Sequence, residues 1–262
     1  GRTAAVSYAG GELSLNVDEM RQDWFRTSYL FDKRQTSGGM ADERMKNYGS
    51  QPLKYAFPAQ EQWREGLFGD KAESDKPVAA IIREKGSNSD REMAWALYMA
   101  GFRVRDVHTT DLTAGRGTLD DVRLIVFVGG FSNADVLGSA KGWAGALHYN
   151  EKARRSLDRF YARKDTMSLG VCNGCQLMAE LGLVTPEDRE ASPKMKHNLS
   201  KKHECAFVGV DIPASPSIML KSLQGSSLGI WVSHGEGRFC LPAGKQLGEQ
   251  AFAVALRYSY DT

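Results

Sequence analysis

The sequence predicts an α/β fold, with an open, mostly parallel sheet flanked by helices and preceded by a helical and extended N-terminal connector. Two observations support this prediction. From Pro77 onward, short apolar runs alternate with helical patterns, and Gly-rich loops follow three of the apolar runs. Short strands that alternate with helices are typical of right-handed βαβ crossovers, which build parallel sheets.

The parallel part is predicted between residues 77 and 176. Its strands are expected in PVAAIIRE (77–84), FRVRDVH (102–108), LIVFVGG (124–130) and TMSLGV (166–171), with helices in REMAWALYMAG (91–101) and EKARRSLDRFYARK (151–164). Beyond residue 200, the runs ECAFVGVDI (204–212), GIWVSHGEG (229–237) and AFAVALRY (251–258) predict further strands in a more antiparallel arrangement.

Residues 1–76 differ in composition from the rest of the chain. Residues 17–35 carry apolar side chains at helical spacing, which predicts one amphipathic helix. The residues that follow are rich in Gly, Pro and charge, which favours an extended connector with short helical pieces. We therefore predict two regions, a connector over 1–76 and a main domain over 77–262.

Composition excludes several classes of protein. Hydrophobic residues make up 42% and charged residues 25%, and the net charge is +2, so neither nucleic acid nor an acidic membrane surface is an expected partner. No apolar run is long enough to span a bilayer, and the N-terminus lacks the pattern of a signal peptide. Four cysteines make no disulfide framework in a chain of this length, which favours a reducing, cytoplasmic setting. A first residue other than Met and a final apolar run lead us to expect a fragment of a longer polypeptide.

Three loops are predicted to form the functional site. Ligands of open parallel sheets bind at the carboxyl ends of the strands. The loops at 84–90, 129–135 and 172–176 leave such ends, and all three contain Gly and small polar residues. We expect them to converge.

The motif Gly-Val-Cys-Asn-Gly at 170–174 has the form of a nucleophile elbow with a cysteine in place of serine. The flanking glycines permit a strained turn, and the N-terminus of the following helix favours the thiolate of Cys172. The backbone N–H of Asn173 is placed to stabilise an oxyanion, and a second donor is expected at Gly130 or Phe131.

A second interpretation of this motif is a dithiol or metal site formed by Cys172 and Cys175. Redox pairs also occur at helix N-termini, so this alternative stays open. A zinc site would need a second close pair, and Cys205 and Cys240 are isolated in the sequence. We predict a nucleophile at Cys172, a packing role for Cys175 and no metal site.

Several long motifs then occur in order: REKGSNSDREMAWALYMAGF, LIVFVGGFSNADVLGSAKGWA, SLGVCNGCQLMA, HNLS and SHGEGR. Over about residues 77–257 the chain resembles the glutaminase domain of the formylglycinamide ribonucleotide amidotransferase (phosphoribosylformylglycinamidine synthase) family, which belongs to the class I glutamine amidotransferases. The stretch DWFRTSYLFD resembles the end of the synthetase portion of the same family, so residues 1–76 would join two domains.

The resemblance implies a function and a set of site residues. Cys172 would attack the side-chain amide of L-glutamine, with an oxyanion hole at Phe131 and Asn173. Glutamine would be held by Gly129, Gly130, Gln176, Ser233, His234, Gly235 and Glu236. The ammonia would pass to a synthetase domain of the same polypeptide, which uses ATP and magnesium to form formylglycinamidine ribonucleotide in purine biosynthesis. No cofactor is implied in this domain itself.

The chain departs from the family pattern at two places. The catalytic His and Glu of the family lie in an H-P-E motif, and no such motif occurs in residues 1–262. The resemblance therefore implies that this chain alone hydrolyses glutamine weakly or not at all. Asn133 stands where the family usually has Tyr. His234 is expected to face the substrate rather than act as the base, and Asn198 and Ser200 to stabilise the pocket edge.

Two other functions remain possible on the sequence alone. One is a non-catalytic module that docks on a synthetase domain. The other is a different cysteine hydrolase of the same architecture.

Overall fold

The structure, a computed structural model, describes residues 2–49, 55–57, 72–246 and 253–259. The chain divides into two compact units. The antiparallel unit comprises Gly1–Pro58, His197–Gly235 and Val254–Thr262, and the parallel unit comprises Ala59–Lys196 and Glu236–Ala253. The domain boundary between residues 76 and 77 stays a prediction.

The described residues form the following elements. The helices are α1 (Val17–Gln35), α2 (Met40–Tyr48), α3 (Asp90–Met99), α4 (Thr109–Ala114), α5 (Lys141–His148), α6 (Glu151–Ala162) and α7 (Asn173–Glu180). The strands are β1 (Thr3–Tyr8), β2 (Gly11–Asn16), β3 (Val78–Arg83), β4 (Ser87–Asn88), β5 (Arg103–His108), β6 (Val122–Phe127), β7 (Gly129–Gly130), β8 (Met167–Gly170), β9 (Lys194–Lys196), β10 (Glu204–Asp211), β11 (Ser227–His234), β12 (Arg238–Cys240) and β13 (Arg257–Tyr258).

The predicted parallel sheet is confirmed. Strands β5, β3, β6 and β8 lie in that order and pair in parallel. Helices α4 to α7 cover one face of the sheet and α3 covers the other, as the two buried clusters of apolar side chains show. The alternation of strands and helices along the sequence produces this layered α/β arrangement because each crossover must bury its apolar face on the sheet.

In helix α6, the helical spacing of apolar residues in the sequence produces one buried face. Its buried apolar residues Ala153, Leu157 and Phe160 are four and three positions apart and lie on the same face of the helix. Asn150 precedes the helix, and its side-chain oxygen accepts a hydrogen bond from the N–H of Ala153 at 3.0 Å. This cap satisfies one of the N–H groups that a helix start leaves without a partner.

The antiparallel unit contains β10 and β11, two strands that the sequence predicted, and they pair antiparallel with Glu204 opposite His234 and Asp211 opposite Ser227. Helix α1 has the predicted bounds of 17–35. The hairpin of β1 and β2 was not predicted, although the alternating residues around Gly10 and Gly11 are a hairpin signal.

The structure differs from the predicted strand at 251–258, and it describes only part of the predicted connector. The strand expected over 251–258 is reduced to β13 at Arg257–Tyr258, and residues 253–256 are not in a strand; residues 251–252 lie outside the described residues. The expected connector contains helix α2 and a short 3-10 turn at Glu73–Asp75. Its residues 50–54 and 58–71 lie outside the described residues.

Candidate active site

Cys172 lies in a strained turn between strand β8 and helix α7. Its backbone has φ 53° and ψ −112°, and its side chain is exposed. A positive φ is costly for a residue with a Cβ, so the surrounding structure must hold the turn in place. Such a turn is what the elbow motif predicts.

The two flanking glycines fit where no larger residue would. A Cβ on Gly170 would lie 2.7 Å from the carbonyl oxygen of Gly174. A Cβ on Gly174 would overlap the carbonyl oxygen of Phe127 on strand β6. The close approach of helix α7 to β8 and β6 therefore requires glycine at both positions.

The start of α7 supplies backbone N–H groups beside the thiol. The carbonyl of Cys172 accepts hydrogen bonds from the N–H groups of Cys175, at 2.9 Å, and Gln176, at 3.1 Å. Asn173 is the first helical residue, so its N–H has no acceptor within the helix. The arrangement can stabilise negative charge that develops next to Cys172.

The two cysteines of the motif have different environments. Cys175 is partly buried, and burial, followed by the nearby Cys172, raises the pKa of its thiol. Cys175 therefore favours the protonated form, whereas Cys172 is exposed. This asymmetry agrees with a packing role for Cys175.

The three predicted loops converge. Strands β4 and β7 pair antiparallel, with Ser87 opposite Gly130 and Asn88 opposite Gly129. A Cβ on Gly129 would lie 3.1 Å from the Cβ of Cys172. The loops that follow β3 and β6 thus meet beside the elbow.

A buried hydrogen-bond network around Asn173 joins the second loop to the elbow. The Asn173 side chain is 1% exposed, and its oxygen accepts from the N–H of Ser132 at 3.2 Å and from its hydroxyl at 2.6 Å. Its amide nitrogen donates to Gln176 at 3.0 Å and to Asp135 at 3.4 Å. Gln176 in turn donates to the carbonyl of Glu236 at 2.9 Å.

Sequence reasoning missed Ser132 and Asp135, and it assigned only the backbone of Asn173 a role. The available signal was their place within the Gly-rich loop, but a sequence pattern does not reveal which side chains bond to each other. Asn173 therefore has a structural role besides the proposed role of its backbone N–H, because its side chain holds the loop that contains Ser132 and Asp135.

The loop between β7 and α5 contains three consecutive residues in the left-handed region. Asn133, Ala134 and Asp135 have φ values of 53°, 54° and 51°. Left-handed conformations of residues other than Gly cost about 1–3 kcal/mol each and concentrate at functional sites. The Asn173 network offsets part of this cost, and Asn133 packs next to Gly142 of α5.

Phe131 lies in the same loop with its ring 66% exposed. Its backbone N–H donates to the carbonyl of Gly86 at 2.9 Å. This donor is engaged in the present conformation, so it becomes available to an oxyanion only if that hydrogen bond opens.

The histidines of the parallel unit, His108 and His148, have local partners. In the parallel unit, His108 caps helix α4 by accepting from the N–H of Thr110 at 3.2 Å, and the His148 ring packs edge-on against Tyr149. Neither histidine hydrogen-bonds to Cys172. Within the described ranges, no group of three or more His, Cys, Asp or Glu side chains could hold a metal ion.

The remaining predicted site residues, apart from Glu236, belong to the antiparallel unit. Ser233 and His234 end strand β11, and Gly235 follows them. Ser233 Oγ lies 3.0 Å from His203 Nε2, and His234 Nδ1 lies 2.9 Å from Asn198 Oδ1. The predicted role of Asn198 at this edge is thus accompanied by a direct contact with His234.

Comparison with known proteins identifies the family. The CobB/CobQ-like glutamine amidotransferase domain matches residues 76–262. The chain is 45% identical over 241 residues to a probable phosphoribosylformylglycinamidine synthase, chloroplastic/mitochondrial, of Arabidopsis thaliana, covering 88% of this chain and 17% of that protein. It is 42% identical over 239 residues to the phosphoribosylformylglycinamidine synthase of Homo sapiens, covering 84% of this chain and 17% of that protein.

Among solved structures, PurLQS from Thermotoga maritima matches with a TM-score of 0.55 and 26% identity, covering 71% of this chain and 76% of that chain. The chain spans about a sixth of the length of the two synthases, as the 17% coverage shows. The family match extends over most of the chain and includes the elbow, its loops and its helix. The chain therefore belongs to the family of CobB/CobQ-like glutamine amidotransferase domains.

Proposed function

We propose that the chain is the glutaminase part of a phosphoribosylformylglycinamidine synthase. The observation that carries the proposal is the Cys172 elbow, where an exposed cysteine with a positive φ immediately precedes α7 beside the Gly-rich loop at Gly129. The proposed reaction is supported by the two relatives, both of which are named phosphoribosylformylglycinamidine synthase.

The proposed chemistry begins with attack of the Cys172 thiolate on the side-chain carbonyl carbon of glutamine. The Asn173 N–H stabilises the resulting oxyanion, together with the Phe131 N–H once its bond to Gly86 opens. The C–N bond breaks and the nitrogen leaves as ammonia after taking up a proton. The glutamyl thioester on Cys172 is then hydrolysed by water, which releases glutamate and restores the thiol.

The residues proposed to bind glutamine are those that the family resemblance implies. In the parallel unit these are Gly129, Gly130, Gln176 and Glu236, of which Gln176 and Glu236 are joined by a hydrogen bond. In the antiparallel unit they are Ser233, His234 and Gly235.

The proposed partner is a synthetase portion of the same polypeptide, which takes the ammonia and uses ATP and magnesium to form the amidine of formylglycinamide ribonucleotide. ATP and magnesium are assigned to that portion rather than to this chain. No helix in the described part of the chain is long and apolar enough to cross a bilayer.

The proposed location is the cytoplasm, where the free cysteines would stay reduced. The Arabidopsis relative is named chloroplastic/mitochondrial, so organelle fractionation of the native host provides the direct measurement.

A non-catalytic docking module is the second candidate, and the partners of His108 and His148 favour it, because neither serves Cys172 as a base. General base catalysis is typically worth about 10²–10⁴-fold in rate. We therefore propose that residues 1–262 alone bind glutamine but turn it over slowly.

The test is covalent labelling by a diazoketone analogue of glutamine, read by intact mass and peptide mapping. We expect a label on Cys172 that glutamine blocks, no label in Cys172→Ala, and unchanged labelling in the matched control Cys175→Ala. Labelling that glutamine does not affect would favour a different cysteine hydrolase. Absence of labelling with a folded chain would favour the docking module.

A further inference from the structure

The loop between β7 and α5, residues 131–140, exposes large apolar side chains beside the elbow. We call it the apolar loop. The exposed fractions are 66% for Phe131, 79% for Val136 and 71% for Leu137. Single exposed apolar residues are common on protein surfaces, but here three of them fall within seven positions of one loop. Such a concentration of exposed apolar surface marks a site of contact with another macromolecule.

Hydrogen bonds within the apolar loop fix its shape. The N–H groups of Ala134, Val136, Gly138 and Lys141 each donate to the carbonyl three residues earlier, at distances between 2.8 and 3.3 Å. Each of these bonds closes a turn whose first and fourth Cα atoms lie less than about 7 Å apart. The loop is therefore a series of tight turns, and its apolar side chains are exposed by a defined structure.

The polar side chains of the apolar loop bond inwards to the elbow. Ser132 is 1% exposed, and its hydroxyl donates to the side-chain oxygen of Asn173 at 2.6 Å. Asp135, the one charged residue of the loop, accepts from the Asn173 amide nitrogen and from the N–H of Ala140, both at 3.4 Å. The loop thus presents apolar groups outwards while its charge is engaged, and depletion of charge is typical of the core of protein–protein interfaces.

The apolar loop also begins next to the sulfur of Cys172. A Cβ on Gly129 would lie 3.8 Å from Cys172 Sγ, and Phe131 follows two residues later. Ser132 is bonded to Asn173, the residue after Cys172. A protein that covers the loop would therefore stand beside the atom at which the proposed reaction takes place.

Resting on the proposed function, the product released beside Cys172 is ammonia. Ammonia takes up a proton in neutral water, and the resulting ammonium ion has no lone pair with which to attack an electrophile. The ammonia must therefore reach the synthetase portion without entering bulk water, so protein has to cover the rim of the site. This chain spans 17% of each of the two synthases, so most of their length lies outside the matched part.

We propose that the apolar loop, through Phe131, Val136 and Leu137, is the surface on which the synthetase portion of the same polypeptide docks. The facing surface of the synthetase portion is then apolar and free of unpaired charge. Docking removes the three side chains from water, which favours the association. It also closes the rim beside Cys172, so that ammonia passes to the synthetase portion instead of to the solvent.

The test is the double substitution Val136→Ser and Leu137→Ser in the full-length protein encoded by the native gene, with Tyr149→Ser as the matched control. Tyr149 is 87% exposed and follows helix α5 at the end opposite to the apolar loop. Neither Val136 nor Leu137 takes part in the proposed chemistry at Cys172. Far-UV circular dichroism and thermal unfolding verify that the variants are folded, as expected for substitutions at exposed positions.

Amidine formation is measured twice, with glutamine and with an ammonium salt that supplies ammonia without the glutaminase. We expect the double variant to lower the glutamine-supported rate by about 10-fold or more and to keep the ammonium-supported rate within about 2-fold. Glutamate release should continue, so that more than one glutamate forms per amidine. Diazoketone labelling of Cys172 in residues 1–262 should be the same with and without the double substitution, and Tyr149→Ser should change none of these quantities.

Two results overturn the docking role of the loop. One is an unchanged glutamine-supported rate in the double variant, or an equal loss in Tyr149→Ser. The other is a fall in Cys172 labelling as large as the fall in the coupled rate, because the loop would then shape the site instead of binding a partner.

Sedimentation velocity of residues 1–262 tests a second copy of the chain as the occupant. A dimer that the double substitution dissociates would overturn the proposal in favour of self-association. Protection of Cys172 by glutamine separates the docking proposal from the proposed function. If glutamine protects Cys172 but the double variant keeps its coupled rate, the docking proposal fails alone. If glutamine does not protect Cys172 in the unsubstituted chain, both fail.

Discussion

The Cys172 elbow and the Asn198 turn, which precedes strand β10, hold candidate site residues by different physical means. At the elbow, the backbone is confined by steric exclusion, since Gly170 and Gly174 approach neighbouring backbone atoms too closely for any Cβ. At the Asn198 turn, a single side chain is confined by hydrogen bonds to the carbonyls of His234 and Lys202.

The comparison explains which kind of constraint can be recognised in a sequence. Steric exclusion demands one residue type at a fixed spacing, and the spacing itself becomes the signal. A hydrogen-bonded turn demands a donor and an acceptor at a suitable distance, which several residue types and many spacings can provide. Substitutions at the elbow and near the turn test whether steric exclusion and hydrogen bonding differ in strength as well as in kind.

The largest effect is expected for Gly174→Ala. The new Cβ would overlap the carbonyl oxygen of Phe127, so α7 must move away from β6. We expect a loss of about 3 kcal/mol or more in the free energy of unfolding, measured by urea denaturation, and loss of Cys172 labelling.

The matched control is Gly145→Ala in helix α5. A Cβ there meets only the ring of Tyr149, at 3.9 Å, so the variant should be unchanged or about 0.5–1 kcal/mol more stable because alanine favours the helix. If Gly174→Ala were as stable as this control, steric exclusion would not be what fixes the elbow.

A smaller effect is expected for Asn173→Ala, which keeps the elbow glycines but removes the buried network. Ser132 Oγ and Gln176 Oε1 would lose their partner, and leaving buried polar groups unpaired costs about 1–3 kcal/mol. Without this support the left-handed run after Phe131 should relax, and the rate of Cys172 labelling should fall about 10-fold or more.

Asn150→Ala is the control for this variant, since Asn150 also bonds through its side-chain oxygen but at a half-buried helix start away from the elbow motif. It should cost about 1 kcal/mol and leave labelling unchanged. Equal labelling rates in the two variants would show that the network stabilises the fold without shaping the site.

The contrast between steric constraints and hydrogen-bonded contacts also determines which features of the fold can be predicted from the sequence. The parallel sheet was predictable because the apolar runs in β3 and β6 must be buried, and burial is encoded residue by residue. The convergence of the loops at Gly129 and Cys172 followed from the rule that parallel strands end at one edge.

Other features depended on contacts between residues distant in sequence. Of the strand expected at 251–258, the described residues 253–258 form only β13, which pairs with β10, and pairing of this kind is not visible in an apolar run by itself. The roles of Ser132 and Asp135 were not predictable, since they follow from where the Asn173 side chain lies in the folded loop. The orientation of the Asn198 amide likewise depends on the carbonyls of Lys202 and His234, which no sequence pattern identifies.

The smallest effect concerns the charge on His234 and tests the hydrogen-bonded turn alone. His203 lowers the pKa of His234, so His203→Gln should raise it. An NMR pH titration of the His234 ring measures the change, and His148→Gln in the parallel unit should leave the titration unaltered. The Asn198 amide nitrogen donates to two backbone carbonyls, so its oxygen, which can only accept, faces His234 Nδ1 at 2.9 Å and should keep the hydrogen of the neutral ring on Nδ1 in this variant.

The sign of the accompanying change in stability follows from proton linkage. The pKa of His234 in the folded chain lies below the unfolded value of about 6.5, so the unfolded chain takes up its proton first as the pH falls. His234 therefore destabilises the fold as the pH drops below about 6.5, and His203→Gln should reduce this loss. An unchanged pKa of His234 in this variant would show that His203 does not lower it, and that burial accounts for the shift.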